Sequence, residues 1–176
     1  TPSNDSIIKL GPIKKSTEWN DQYYNEKNSI ENFKYDFSND TIFKSKKLSK
    51  YKINERILFN KEKIIFTNDI GDIVFYSFKE EKITFKYNFY KKKFKKFKKE
   101  IKLLVKKDII IAADNFGYAY SINYKKNKIV WAKNFLVPFR SNLKIINETL
   151  FLSDEKNKII LIDINNGDKI DELYTQ

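Results

Sequence analysis

Asp114–Phe135, DNFGYAYSINYKKNKIVWAKNF, is the stretch of this 176-residue chain whose reading decides the fold. It holds Gly117 near its start, an alternating run through its middle, a basic turn, and Trp131 fourteen residues after the glycine. Taken alone it reads as a ligand site built from a glycine and an indole. Alignment with the rest of the chain changes that reading. With Gly71 placed under Gly117, Ile64–Phe85 (IIFTNDIGDIVFYSFKEEKITF) falls into register: Asn68 under Asp114, Ser77 under Asn123, Ile83 under Ile129 and Phe85 under Trp131. A third copy, Thr149–Asp171 (TLFLSDEKNKIILIDINNGDKID), puts Asp154 under Asp114, Asn157 under Gly117 and Asp163 under Asn123. The periods are 46 and 40 residues, and Phe43 precedes Phe85 by 42. The segment is one copy of a repeat.

Each copy reads as four short strands. In the middle copy these are Ile101–Val105, Ile109–Ala113, Tyr118–Asn123 and Ile129–Asn134, each rich in Ile, Val, Phe and Tyr and bounded by Asp, Asn, Gly or Lys. β-Branched and aromatic side chains suit a pleated, packed surface, and four alanines in the whole chain argue against helices. Asn68-Asp-Ile-Gly71, Asp114-Asn-Phe-Gly117 and the Asn-Gly step ending at Gly167 are tight turns whose Asn or Gly takes positive φ. Four-stranded antiparallel units at this spacing predict an all-β fold, a β-propeller. Blades are expected at about 52–90, 99–135 and 141–175, after an opening segment at 1–50. The aromatics Phe43, Phe85 and Trp131 are assigned to the gaps between blades; Asp171 stands at that position in the third copy. An unpaired outer-type strand near Thr41–Ser45 is expected to act as a clasp. The chain does not begin with Met and shows no signal-peptide core. It is read as the N-terminal portion of a propeller of about eight blades.

The repeat pattern of Asp114, Gly117, Ser121, Ile122, Asn123 and Trp131 resembles that of the quinoprotein-like β-propellers. That family holds quinone-dependent dehydrogenases and the non-enzymatic outer-membrane assembly lipoproteins of the BamB type. Ser16–Ile30 (STEWNDQYYNEKNSI) resembles the opening segment of BamB-type chains, and Trp131–Ile145 (WAKNFLVPFRSNLKI) resembles their passage between two blades. The resemblance implies a periplasmic scaffold at the inner face of the outer membrane. Its partner would be the barrel-forming subunit of the assembly machine, bound without chemistry, with a strand edge as one means of docking. The alternative within the family is a fragment of a quinone-dependent dehydrogenase. Those enzymes use a vicinal disulfide, a tryptophan platform and a calcium site, and this chain has no cysteine and only Trp19 and Trp131.

Composition narrows the chemistry further. Without cysteine or histidine there are no disulfides, thiolate sites, Cys–His pairs or imidazole acid–base groups. No Asp/Glu cluster has metal-ligand spacing, so neither a cofactor nor a metal is expected. Asp114, Asp154 and Asp163 recur with the repeat, and a turn-capping role follows for them. Gly71, Gly117, Phe85 and Trp131 are likewise repeat positions, the glycines in turns and the aromatics between blades. The charge is +12, from 35 basic and 23 acidic residues, but Arg56 and Arg140 are the only arginines. A lysine excess alongside frequent Asn and Ile is what an AT-rich coding sequence yields, and nucleic acid is not expected as a partner. Lys91–Lys99 packs seven lysines ahead of Glu100, with Phe94, Phe97, Ile101 and Leu104 at helical spacing. This reads as a loop leading into a strand at Ile101, with anionic lipid contact compatible. Phe139 and Arg140, in the non-repeat segment PFRSN, are the candidate partner-binding residues.

Overall fold

The computed structural model describes residues 11–14, 18–25, 27–30, 32–34, 40–41, 43–90, 94 and 96–175. Among them are thirteen strands and no α-helix. The first sheet, in the order β1-β2-β3-β4-β5, contains β1 (Glu18–Trp19), β2 (Leu58–Asn60), β3 (Lys63–Thr67), β4 (Ile73–Ser77) and β5 (Lys82–Tyr87). The second contains β6 (Ile101–Lys106), β7 (Ile109–Asp114), β8 (Tyr118–Asn123) and β9 (Lys128–Asn134). The third contains β10 (Lys144–Ile146), β11 (Thr149–Ser153), β12 (Lys158–Asp163) and β13 (Lys169–Tyr174). Every pairing is antiparallel and joins strands consecutive in sequence, with β1 and β2 separated by the longest connection. The repeat register survives in the sheets. Leu58 pairs with Ile65, Leu104 with Ile111 and Lys144 with Phe151.

The outermost hairpins share an irregularity that the sequence period does not announce. Phe75 faces Phe85 but Tyr76 faces Ile83; Ser121 faces Trp131 but Ile122 faces Ile129; Leu161 faces Asp171 but Ile162 faces Lys169. One extra residue (Thr84, Val130, Ile170) is inserted at the same place in each blade. Such a bulge bends the outer strand and re-aims the residue after it. That residue is Phe85, Trp131 or Asp171.

Two apolar clusters lie between the three sheets. One joins Phe75 and Phe85 of the first to Val105, Ile110 and Ile122 of the second; the other joins Ile111, Ala113 and Trp131 of the second to Leu150, Leu152 and Ile162 of the third. Successive residues of a strand face opposite sides, so the middle sheet feeds one set of side chains to each neighbour. Trp131 is 6% exposed and its Nε1 donates to the Ile164 carbonyl at 2.7 Å. It lies on Gly167, whose φ is +77° and where a Cβ would stand 2.6 Å from the indole. Phe85 makes the same approach to Tyr124, at 6.4 Å between ring centroids. Asp171 is exposed, and Ile170 and Leu173 beside it are 57% and 51% exposed.

The expected clasp strand is not where the sequence placed it. The described residues of Thr41–Ser45 form no strand. Phe43 contributes its ring, 6.0 Å from both Tyr76 and Phe78 on the face of the first sheet turned away from the second. Phe78 is the repeat counterpart of Tyr124 and Ile164, so Phe43 sits where Phe85 and Trp131 sit in the later blades, without backbone pairing. The additional strand is instead β1, which pairs with the innermost strand of the first sheet through Glu18–Asn60 and Trp19–Phe59. From there the chain crosses the inner edges of the other two sheets. The Val105 N–H donates to the Asn20 carbonyl at 2.9 Å. Lys144 reaches Asp21 at 2.5 Å and the Asn25 carbonyl at 2.8 Å. Asp21 is 4% exposed and also accepts from the Tyr23 N–H at 2.8 Å.

Candidate binding face at the inner-strand ends

The recurrent Asx residues close turns. Asp114 Oδ1 accepts from the N–H groups of Phe116 and Tyr118, both at 2.9 Å, and its Oδ2 accepts from the Tyr90 hydroxyl at 2.7 Å. Asp154 Oδ1 accepts from Lys156 and Lys158, and Asn68 Oδ1 from Asp72. At the second recurrent position, Asp163 Oδ1 accepts from Asn165 at 2.7 Å, Asn123 Oδ1 from Lys126 and Ser77 Oγ from Glu80. Burial raises the Asp114 pKa above 3.8, against the opposing hydrogen bonds from Tyr90, Tyr118, Phe116 and Gly117. Burial and the neighbouring Asp114 push the Tyr90 phenol upward. Gly117 has φ +85° and lies under the Val137 backbone, and Gly71 (φ +89°) lies under the Tyr90 ring. These residues are engaged in building the blades.

One end of the stack is different. The three innermost strands begin there, and so do the turns between the second and third strand of each blade. Arg56, Lys102 and Asn142 occupy one repeat position, each two residues ahead of the paired positions Leu58, Leu104 and Lys144. Arg56 Nη1 donates to Asn142 Oδ1. Lys102 Nζ donates to the carbonyl of Phe139 at 3.4 Å and to that of Arg140. The chain's two arginines therefore flank one lysine. Burial pushes the Lys102 ammonium down to about 8, helped by the charges of Arg56 and Arg140 and resisted by Glu100. A cleft of about 240 Å³ opens beside it, with four cations (Lys52, Arg56, Lys98 and Lys102) and two acids (Glu55 and Glu100) in its lining.

The two candidate residues of the PFRSN segment part company here. Arg140 is exposed, with only its backbone engaged. Phe139 is 5% exposed; its ring lies 5.5 Å from Phe135 within the cluster between the second and third blades, and its backbone bridges Asp154. Of the lysine run, Lys91, Lys92, Lys93 and Lys95 lie outside the described residues. Ile101 and Leu104 belong to strand β6, so the helical spacing carries no helix at that end. Phe94 packs on Phe116 and Tyr118, and Lys99 is 1% exposed with its ammonium 5.7 Å from the Tyr90 ring. The Arg56–Lys102–Asn142 alignment was open to sequence reading by extending the repeat register back from Ile64 and Ile109 into the preceding strands.

Solved structures share this arrangement of sheets. The computationally designed Ika4 protein superposes with a TM-score of 0.63 at 11% identity, over 75% of this chain and 78% of its own. The fold is a β-propeller. BamB from Moraxella catarrhalis gives a TM-score of 0.53 at 14% identity, over 65% of this chain and 33% of its own. The Saccharomyces cerevisiae protein Sqt1 gives 0.57 at 12% identity, over 66% and 32%. This chain thus spans about a third of the length of BamB and of Sqt1. At these identities the likeness is one of propeller fold, common to proteins of different kinds. No family model matches the chain, and no curated protein matches it by sequence.

Proposed function

We propose that this propeller is a non-enzymatic binding scaffold of the BamB kind, forming the N-terminal portion of a larger propeller. It would act in the periplasm at the outer membrane and dock a protein of the barrel-assembly machinery. The observation that carries the binding reading is the end of the stack where the non-repeat passage 135–143 leaves the blades. That passage anchors itself by burying Phe139 and presents Arg140 outward beside Arg56 and Lys102. The residues a catalytic reading would recruit are otherwise employed. Asp114, Asp154 and Asp163 cap turns, Trp131 wedges two blades, and Trp19 lies in β1 with its ring against Tyr24 at 5.3 Å. The structural likeness supports the propeller fold, and the repeat pattern with the opening segment Ser16–Ile30 supports the choice among propellers. The test is co-purification of tagged protein with the barrel-assembly subunit from its own envelope, comparing wild type with Arg140→Ala. Loss of capture with an unchanged Tm supports the scaffold role. Unchanged capture with only a lowered Tm removes Arg140 from the partner face.

A further inference from the structure

From the cationic cluster at the inner-strand ends we infer a binding site for a phosphate group, held by Arg56, Lys102 and Arg140. This goes beyond the scaffold reading and does not depend on it. The first two blades contribute Arg56 and Lys102, the passage into the third contributes Arg140, and both arginines of the chain are thus spent on this spot. Arg56 and Lys102 are held by contacts to one short segment, Phe139–Asn142, which also carries the exposed Arg140. Arg56 is bonded to Asn142, and Lys102 to the carbonyls of Phe139 and Arg140. Among the described residues no carboxylate lies within ion-pair distance of any of the three. Glu100, the acid nearest Lys102 in its electrostatics, is held by Lys98 at 3.0 Å. Elsewhere lysines of this protein do find carboxylates, as Lys133 finds Asp168 at 2.7 Å.

Like charges gathered beyond what Glu55 and Glu100 balance repel, and the half-buried Lys102 feels this repulsion most. An anion relieves it. The geometry favours phosphate over a carboxylate side chain on two grounds. A phosphate monoester carries nearly two negative charges and three acceptor oxygens, where a carboxylate carries one charge and two oxygens in a plane. The available donor groups are three and come from separate segments of the chain. Arg56 keeps donors beyond the one given to Asn142, Lys102 keeps one N–H beyond its two carbonyls, and the Arg140 side chain bonds no described residue. Arginine forks are the side chains best matched to such an oxyanion. The phosphate could belong to a soluble molecule or to a lipid headgroup, since both present the same oxygens.

The test is a calorimetric titration of the whole chain with inorganic phosphate at pH 7, against sodium chloride of equal ionic strength. Saturable phosphate binding is expected, weakened at least tenfold in Arg56→Gln/Arg140→Gln and left intact in Lys61→Gln/Lys107→Gln, which removes equal charge from turns at the opposite end. Circular dichroism checks folding; if the double Gln variant is unfolded, Arg56→Lys/Arg140→Lys keeps the charge, loses the forks and should still weaken binding several-fold. A second arm uses vesicles of phosphatidylglycerol and phosphatidylcholine. Sedimentation with vesicles that needs the same arginines and is displaced by phosphate assigns the site to a lipid headgroup; phosphate binding without vesicle binding assigns it to a soluble phosphate. The inference is overturned by absence of saturable phosphate binding, by equal binding in the two charge-removal variants, or by an oligoglutamate peptide that binds through these arginines and is not displaced by phosphate.

Discussion

Substituting Asp114 separates a turn cap from a functional carboxylate. The side chain is 1% exposed and accepts three hydrogen bonds, from Phe116 N–H, Tyr118 N–H and the Tyr90 hydroxyl. Asp114→Ala leaves those donors without their acceptor in a dry turn. At about 1–1.5 kcal/mol for each, the loss is about 3–5 kcal/mol, which for a chain of this size lowers Tm by roughly 10 °C. Asp114→Asn keeps Oδ1 for the two backbone donors and offers its amide to the Tyr90 oxygen, so it should cost under about 1 kcal/mol. Asn68 already does this work in the first blade, accepting from Asp72 at 2.9 Å.

The pH dependence has a definite sign. The folded pKa of Asp114 is raised above 3.8, so the folded chain holds this proton more tightly than the unfolded chain. The contribution of the group to stability is greatest below the unfolded pKa and falls as pH rises through the folded one. Asp114→Asn removes that fall, and its stability relative to wild type should improve as the pH is raised from 4 to 7. Urea unfolding followed by tryptophan fluorescence at the two pH values measures all three proteins. The cap reading is refuted if Asp114→Ala stays within about 1 kcal/mol of wild type, or if Asp114→Asn is as damaging as alanine.

Trp131→Ala should cost about 3–5 kcal/mol in urea unfolding, because it empties the space between the second and third blades and leaves the Ile164 carbonyl without its donor. Gly117→Ala combines a φ of +85° with a Cβ 2.7 Å from the Val137 carbonyl oxygen, and should lower Tm by more than 5 °C or abolish soluble expression. Asn157→Gly, at the corresponding turn of the third blade where φ is +60°, should leave Tm within a few degrees. Lys144→Met leaves the buried Asp21 carboxylate without its ammonium and should cost about 3–5 kcal/mol, with part recovered in Asp21→Asn/Lys144→Met by chemical denaturation.

The parts of the fold written in the repeat were legible in the sequence. The four strands of the middle copy were expected within a residue of where they lie, because Asp114, Gly117 and Asn123 set the turns and apolar runs fill the space between. The stacking of Trp131 on the next blade followed from its recurrence with Phe85. The crossing of Glu18–Asn25 over three inner edges carried no such signal. Its partners, Val105 and Lys144, are ordinary strand residues, and nothing local to Asp21 announces a lysine far along the chain. Phe43 was placed by its spacing, yet spacing alone did not tell whether its backbone would pair. At the candidate site, Arg56 and Arg140 stood out as the two arginines of the chain. Lys102 is one lysine among many, and its place beside Arg56 shows only when the repeat register is carried back into the inner strands. Phe139 shows the converse: an aromatic in a non-repeat loop drew notice as a surface residue, while its bulk serves the core.

The crossing of the N-terminal segment has a consequence for how the chain folds. Repeats that touch only their neighbours can form and melt one at a time. Here a ligature made from residues near the start of the chain is completed only when Lys144, 123 positions after Asp21 and 119 after Asn25, is in place. It is the first part made and the last part seated. Its closing contact reports on the third blade while its strand pairing reports on the first, so it couples the ends of an otherwise modular array into one cooperative unit. Loops that long slow the closing step more than they weaken the final state. A slow late phase in refolding, lost when Lys144 is replaced and the blades still form, is the kinetic mark this arrangement should leave.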